Sequence, residues 1–134
     1  MIKKLPTEHE EQKKLIQWLR IKKIFHFANT NENNTFKQDR KYAMIAEAKA
    51  KAAGKLKGVA DLTVFLPNKI LFIELKRSRK TLKSGKLSVS HTNTSPEQLK
   101  FLETVNTFVY AVGMVCYGYI EAKTFIENEI NQID

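Results

Sequence analysis

The chain has 134 residues, with 23 Lys or Arg against 14 Asp or Glu, and a formal net charge of +9. This length suits one domain that buries a core without disulfides or a structural metal. One cysteine excludes an intrachain disulfide, and one cysteine with three histidines argues against a structural zinc site. No apolar run is long enough to cross a membrane and the N-terminus lacks a signal-peptide core, so we expect a soluble cytoplasmic protein.

The positive charge lies in the first two thirds of the chain. Residues 1–90 contain 21 Lys or Arg and 8 Asp or Glu, whereas residues 91–134 contain 2 and 6. Such asymmetry favours a polyanionic partner that contacts the N-terminal part. A basic surface without a partner is the alternative. A membrane surface is disfavoured because no segment combines a basic face with a strong apolar one.

Periodicity and capping signals predict an α/β protein in which helices and strands alternate. The predicted helices cover residues 8–22, 41–53, 96–105 and 121–130. The predicted strands cover residues 25–28, 61–66, 70–76 and 108–117. Thr7 and Ser95 are the predicted N-caps, and Gly54 ends the second helix. Trp18 and Tyr42 are predicted to pack against the core. We see no linker and no repeat, which indicates a single domain over residues 1–134.

Acidic residues are sparse in one basic region. Asp61 and Glu74 are the only acids over residues 61–90, which also contain seven Lys or Arg. Two carboxylates close together repel unless a cation lies between them, and all-oxygen ligands suit Mg²⁺ or Mn²⁺. A metal-activated water, oriented or deprotonated by Lys76, would hydrolyse a phosphodiester. The alternative for each residue alone is structural, with Glu74 paired to Lys76 or Lys69 across the sheet.

Strand register decides whether these side chains meet. Side chains alternate faces along a strand, so packing the two apolar faces together requires paired residue numbers with an odd sum. A two-residue turn at Asn68-Lys69 meets this condition. It would place Asp61 opposite Lys76, and Glu74 opposite Thr63. Core burial therefore predicts that the two acids and Lys76 share one face of the sheet.

These residues resemble a known superfamily. Gly58-Val59-Ala60-Asp61, followed by Ile73-Glu74-Leu75-Lys76, is similar to the D…E-x-K motif of the PD-(D/E)XK nucleases, with Ala60 where many members have proline. More narrowly, the chain resembles the VRR-NUC domain over nearly its whole length. The further matching motifs are Glu8 and Gln12 ahead of Trp18-Leu19, Ser95-Pro96-Glu97-Gln98 at a helix start, and Glu121-Ala122 on the last helix.

The resemblance implies both a fold and a site. The fold is a restriction-endonuclease-like core, with a central mixed sheet of about four strands flanked by helices in the order α-β-α-β-β-α-β-α. The implied catalytic residues are Asp61, Glu74, Lys76, Gln98 and Glu8. The implied ligands of Mg²⁺ or Mn²⁺ are Asp61, Glu74, Glu8 and the backbone carbonyl of Leu75. Glu8 has an alternative role as a first-turn acid favoured by the helix dipole, and Glu11 is a substitute for it.

Cations flank the two acids on both sides in sequence. We predict that they contact nucleic-acid phosphates, which gives affinity without a base code. The predicted nucleic-acid-binding residues are Lys49, Lys51, Lys55, Lys57, Arg77, Arg79, Lys80, Lys83 and Lys86. Charge alone does not separate DNA from RNA.

The resemblance implies a metal-dependent, structure-selective DNA endonuclease without an organic cofactor. It further implies a homodimer that acts on branched DNA such as four-way (Holliday) junctions, because one chain offers one metal site. Two alternatives remain: a monomeric flap or single-strand nuclease, and a catalytically inactive DNA-binding accessory subunit on the same fold. The compartment would be the nucleoid, or the host cytoplasm if the protein comes from a phage.

Overall fold

Residues 4–29, 40–87 and 94–132 are described by a computed structural model, and they form a sheet with helices on both faces. The helices are α1 (Glu8–Ile21), α2 (Arg40–Ala52), α3 (Pro96–Val105) and α4 (Tyr119–Asn131). The strands are β1 (His26–Ala28), β2 (Leu62–Leu66), β3 (Lys69–Lys76) and β4 (Ala111–Tyr117). The predicted α/β fold and its element order are confirmed. No helix within these ranges has the length and apolar character needed to cross a membrane.

The sheet is mixed, with strand order β1-β2-β3-β4. The first two pairings are antiparallel, and β3 runs parallel to β4. Its four strands match the predicted central mixed sheet. The chain reaches β4 through α3, as a parallel pair requires a crossover connection.

The hairpin of β2 and β3 turns one residue earlier than predicted. Leu66 pairs with Lys69, so the turn is Pro67-Asn68. Proline has no N–H to extend the ladder and its fixed φ suits the first turn position, which explains why pairing stops at Leu66. The pairing keeps the odd sum that core burial requires, so the alternating faces are as expected.

The individual pairs predicted for this hairpin are wrong. Thr63 pairs with Phe72 and not with Glu74. Continuing the same register by one residue places Asp61 opposite Glu74 and not opposite Lys76. The shift of two positions along β3 leaves every side chain on its predicted face, because faces repeat every two residues.

One face of the sheet packs against α1 and α4. Leu15 and Leu19 of α1, and Ile126 of α4, are fully buried with Leu71 and Ile73 of β3. Burying apolar surface of this kind is the main stabilising contribution to the fold. Both predicted caps are present, because the side chains of Thr7 and Ser95 accept from the third backbone N–H of their helices.

The single cysteine belongs to this core. Cys116 is fully buried on β4. Burial, with a further contribution from the charge of Glu121, raises the pKa of its thiol to about 12. The thiolate is therefore not populated near neutral pH, and Cys116 is an unreactive packing residue.

The opposite face of the sheet is covered by α3. Phe101 of α3 contacts Phe72 of β3 edge to face, with ring centroids 5.5 Å apart. Gly113 of β4 lies directly beneath the helix, where a Cβ atom would be 2.7 Å from Cγ2 of Val105 and 2.9 Å from Cδ2 of Leu102. This close approach holds the second half of α3 against β4.

Two further predicted features differ in the structure. β4 begins at Ala111 and not at residue 108, because Phe108 N–H donates to the Val105 carbonyl and Ala111 N–H to the Phe108 carbonyl. These bonds form a turn after α3. The helix α2 buries no residue, and Tyr42 is 69% exposed, so the prediction that Tyr42 packs against the core is wrong.

Candidate active site

Asp61, Glu74 and Lys76 lie together where β2 begins and β3 ends. Asp61 immediately precedes β2, and its Oδ2 accepts a hydrogen bond of 2.9 Å from the backbone N–H of Leu75. Glu74 and Lys76 occupy the same face of β3, two residues apart. Asp61 is half-buried, whereas Glu74 and Lys76 are only 2% and 9% exposed. Three charged groups are thus held at one edge of the core.

The carboxylate of Glu74 is incompletely paired. Its Oε1 accepts from Nε2 of Gln98 at 2.7 Å and lies 3.6 Å from Nζ of Lys76. Its Oε2 is buried and has no hydrogen-bond donor among the residues that the structure describes. Burying a carboxylate oxygen without a donor costs free energy, and a proton or a cation bound at this position would reduce that cost.

The pKa values of Asp61 and Glu74 also favour a proton or a cation between the two carboxyls. Burial, reinforced by the charge of Asp61 and opposed by Lys76, raises the pKa of Glu74 to about 8. Burial also raises the pKa of Asp61, against the opposing effects of the Leu75 N–H, of a hydrogen bond with the Glu74 carboxyl and of Lys76. Two adjacent carboxyls with raised pKa values hold a proton near neutral pH unless a cation replaces it.

Gln98 connects the acid to the lysine. Its Oε1 accepts from the backbone N–H of Ser95 at 2.9 Å and from Nζ of Lys76 at 3.3 Å. The bond to Ser95 is half of the capping box that begins α3, and it fixes which end of the amide is the acceptor. Nε2 is therefore left to donate to Glu74. Gln98, which the resemblance implies as a catalytic residue, thus contacts both Glu74 and Lys76.

Gly58 brings the loop that carries Asp61 against α3. Its φ is +81°, and a Cβ atom there would lie 2.7 Å from the backbone nitrogen of Gln98 and closer still to the Glu97 carbonyl. Only glycine tolerates both the dihedral angle and the contact. The segment before β2 and the start of α3 are thus packed backbone to backbone. This contact sets the spacing between Asp61 and Gln98.

Glu8 and Glu11, the two candidate acids on α1, have different surroundings. Glu8 is in the first turn and exposed, and its pKa is raised first by partial burial and then by Asp61, with Lys76 opposing. Its carboxyl is therefore within electrostatic range of the pair. Glu11 is buried, and its carboxylate accepts from Ser78 N–H and Oγ, at 2.9 and 2.6 Å, and from Tyr119 N–H at 3.2 Å. Glu11 is fully engaged in holding the fold.

The role of Glu11 was missed from the sequence, although one signal was available. Glu11 lies four, seven and eight positions before Leu15, Trp18 and Leu19, on the apolar side of α1. An acid on that side indicates a buried carboxylate with backbone donors. The identity of those donors, Ser78 and Tyr119, could not be read from the helix alone.

The donors present fit Mg²⁺ or Mn²⁺. Asp61 and Glu74 supply hard carboxylate oxygens. A divalent cation bound to Oε2 of Glu74 would remove the free-energy cost of burying that oxygen without a hydrogen-bond donor among the described residues. Over residues 4–29, 40–87 and 94–132, no three His, Cys, Asp or Glu side chains converge closely enough to hold a metal. A Mg²⁺ ion at two carboxylates keeps several water or phosphate ligands, which is its usual coordination.

Three of the nine predicted nucleic-acid-binding residues are engaged within the chain. Arg77 donates to two backbone carbonyls. Arg79 donates to Glu121 at 3.3 Å, and its guanidinium lies 4.4 Å from the centroid of the Tyr117 ring. Lys57 forms an ion pair with Glu47. The other six are exposed and form no ion pair with any residue that the structure describes. These six are Lys49, Lys51, Lys55, Lys80, Lys83 and Lys86.

Comparison with known proteins agrees with the fold. No protein-family model matches the chain, and no curated protein is a significant sequence match. A solved structure named "VRR_NUC domain protein" is similar, with a TM-score of 0.61 and 18% sequence identity, covering 96% of this chain and 92% of that one. Identity this low carries the fold and not the residue roles. The chain therefore has the VRR-NUC fold, a restriction-endonuclease-like α/β architecture.

Proposed function

We propose that the chain is a metal-dependent endonuclease that hydrolyses phosphodiester bonds in DNA. The observation that carries this proposal is the buried Oε2 of Glu74, which has no donor among the described residues, while burial and then the charge of Asp61 raise the pKa of the same carboxyl. A purely structural pair of acids would be satisfied by backbone or side-chain donors, as Glu11 is. Strongly perturbed, unsatisfied carboxyls mark functional sites more often than structural ones.

Asp61 and Glu74 would hold the metal, and we propose the Leu75 carbonyl as a further ligand. Glu8, whose carboxyl does not converge with the other two in the described structure, would act on the metal through a coordinated water. When bound, Mg²⁺ or Mn²⁺ lowers the pKa of a coordinated water and stabilises charge on a phosphate oxygen. Lys76 cannot swing away freely, because Gln98 and Glu74 both contact its ammonium group. That restraint keeps Nζ on the acidic face, where it orients the attacking water or accepts its proton.

DNA binding would come from the six exposed lysines on either side of the site. Lys49, Lys51 and Lys55 precede Asp61, and Lys80, Lys83 and Lys86 follow Lys76. These cations would bind backbone phosphates without reading bases, which suits recognition of DNA by its shape. Branched DNA such as a four-way junction is the substrate that we propose. Symmetrical cutting of two strands needs two sites, so the proposed assembly is a homodimer.

Cleavage assays with a matched pair of variants test the activity. Labelled four-way junction, flap, single strand and duplex are incubated with Mg²⁺, Mn²⁺ or chelator, using wild-type protein, Glu74→Gln and Glu103→Gln. Glu103 is an exposed acid on the same helix as Gln98 and outside the site. We expect metal-dependent cutting that Glu74→Gln reduces by about a hundredfold or more and Glu103→Gln leaves unchanged.

The outcomes separate the proposed function from its alternatives. Absence of metal-dependent cutting on every substrate, or equal cutting by Glu74→Gln, contradicts the nuclease. DNA binding without any cutting supports the accessory-subunit alternative. Cutting confined to the junction by a protein that elutes as a dimer supports the branched-DNA proposal, whereas flap cutting by a monomer supports its rival.

A further inference from the structure

Arg77 directly follows Lys76 but points its guanidinium at the beginning of the chain. Its Nε donates to the Pro6 carbonyl at 2.8 Å, and its Nη2 donates to the Leu5 carbonyl at 2.7 Å. Two charge-assisted bonds from one planar group to adjacent carbonyls form a geometrically specific clamp. The carbonyls belong to the two residues before Thr7, the N-cap of α1.

A second link joins the same two segments in the opposite direction. Glu11 on α1 accepts from the backbone and side chain of Ser78, the residue after Arg77. Arg77 thus reaches back to the residues before α1, and α1 reaches forward to the residue after Arg77. The first turns of the helix are held to the end of β3 on both sides of Glu8.

We propose that Arg77 is a positioning residue that fixes the start of α1, and with it Glu8, beside Asp61 and Lys76. This inference rests on the proposed function, because it assigns Glu8 a part in the same site. It replaces the phosphate contact predicted for Arg77 from the sequence. A helix start has unsatisfied backbone groups and frays unless it is tied down, so loss of the clamp releases the turn that carries Glu8.

Hydrogen exchange tests the clamp without reference to activity. The amides of Glu10 and Glu11, which donate to Thr7, report on the first turn. In Arg77→Lys, which keeps the charge but cannot bridge both carbonyls, we expect these amides to exchange about tenfold faster. Amides of β4 serve as the folding control, and Lys22→Gln at the other end of α1 is the charge control. Unchanged exchange at Glu10 and Glu11 in both Arg77→Lys and Arg77→Gln overturns the proposal.

Kinetics test whether the clamp acts through Glu8. We expect Arg77→Lys to lower kcat by about tenfold while DNA affinity in chelator changes by less than about twofold. In a Glu8→Gln background, Arg77→Lys should lower kcat little further, because the two residues act as one unit. A phosphate contact gives the reverse: Arg77→Lys close to wild type, and Arg77→Gln weaker in binding with a salt slope smaller by about one. If the wild-type chain cuts nothing, the proposed function fails, and hydrogen exchange alone decides the role of Arg77.

Discussion

The fold holds the Glu74 carboxyl in an environment that destabilises its charged form. One of its oxygens is bonded to Gln98, the other is buried without a donor in the part of the chain that the structure describes, and Asp61 lies opposite Glu74 in the strand register. The fold tolerates this because the surrounding core is well packed and over-determines the position of β3. The cost should therefore appear as a pH-dependent stability of the metal-free protein.

We expect the metal-free protein to lose stability as pH rises from about 5 to about 8. The pKa of Glu74 is raised from 4.5 to about 8 in the folded state, so within that window the folded chain keeps a proton that the unfolded chain has released. A folded state that binds more protons becomes less stable as pH rises. Thermal unfolding in chelator measures the effect, and Glu74→Gln should flatten it whereas Glu103→Gln should not. An unchanged slope in Glu74→Gln would contradict the raised pKa.

Divalent metal should reverse this loss near pH 8. Mg²⁺ or Mn²⁺ that binds the folded state alone raises its melting temperature by mass action. We expect the increase in wild type and in Glu103→Gln, and a much smaller one in Glu74→Gln. Equal increases in all three proteins would show that the ion binds elsewhere.

Gly58 and Gly54 offer a matched test of backbone packing at the site. Both have positive φ, but a Cβ atom at Gly54 meets no described residue within 4 Å, whereas one at Gly58 collides with the start of α3. Gly54→Ala should cost about 1–2 kcal/mol of unfolding free energy from the dihedral alone. Gly58→Ala should cost about 3 kcal/mol or more, because backbone cannot yield as a flexible side chain does. Urea unfolding measures the loss of unfolding free energy in both variants. Equal losses would exclude the close contact at Gly58 as the cause.

Residue positions were predictable from the sequence where local geometry sets them. Alternation along β2 and β3, with burial of their apolar faces, suffices to put Asp61, Glu74 and Lys76 on one side. The partners of Arg77 and Glu11 were not predictable, because their bonds join positions 71 and 67 apart in sequence. Nothing in the local pattern distinguishes an arginine that clamps backbone from one that faces solvent.

At the scale of elements, the outer edge of β4 is capped by a side chain. Asn106, just after α3, accepts from Gly113 N–H at 2.7 Å through Oδ1 and donates to the Gly113 carbonyl at 3.0 Å through Nδ2. Its amide occupies the place that a neighbouring strand would take. An open edge with unpaired backbone groups promotes pairing with another chain, so Asn106 protects β4 from that association.

We expect Asn106→Ala to destabilise the fold by about 1–2 kcal/mol and to increase concentration-dependent association. The substitution removes two hydrogen bonds and exposes the Gly113 backbone on the edge. Sedimentation over a range of concentrations, with Asn128→Ala on the exposed side of α4 as control, measures the association. A variant that sediments like wild type at every concentration would show that the edge needs no cap.

Elements were predicted well where capping or propensity marks them and less well where tertiary contacts move their ends. Thr7 and Ser95 fixed the starts of two helices, and alanine content placed α2 although it buries no residue. β4 starts later than predicted because the backbone N–H and carbonyl of Phe108 form hydrogen bonds within the turn after α3. That turn depends on how α3 lies on the sheet, which periodicity does not reveal.

At the scale of the whole molecule, the strong positive charge overstates the surface available to a polyanion. Nine cations were predicted to bind phosphates, yet Arg77, Arg79 and Lys57 bind groups of the chain itself. Charge counts from sequence cannot separate cations that hold a fold together from cations that face a ligand. Of the nine, six exposed lysines remain as the predicted phosphate contacts.

These six lysines give a quantitative expectation for DNA binding. If they are the cations that contact phosphates of duplex DNA, the slope of log affinity against log salt is about −5 per chain. Lys83→Gln should reduce the slope by about one. Arg79→Gln removes the same charge but should leave the slope unchanged, because Arg79 is already bound to Glu121 and Tyr117. Binding is measured in chelator over a salt series, with melting temperatures to check folding. A loss of slope in Arg79→Gln equal to that in Lys83→Gln would mean that Arg79 leaves its internal partners to contact DNA.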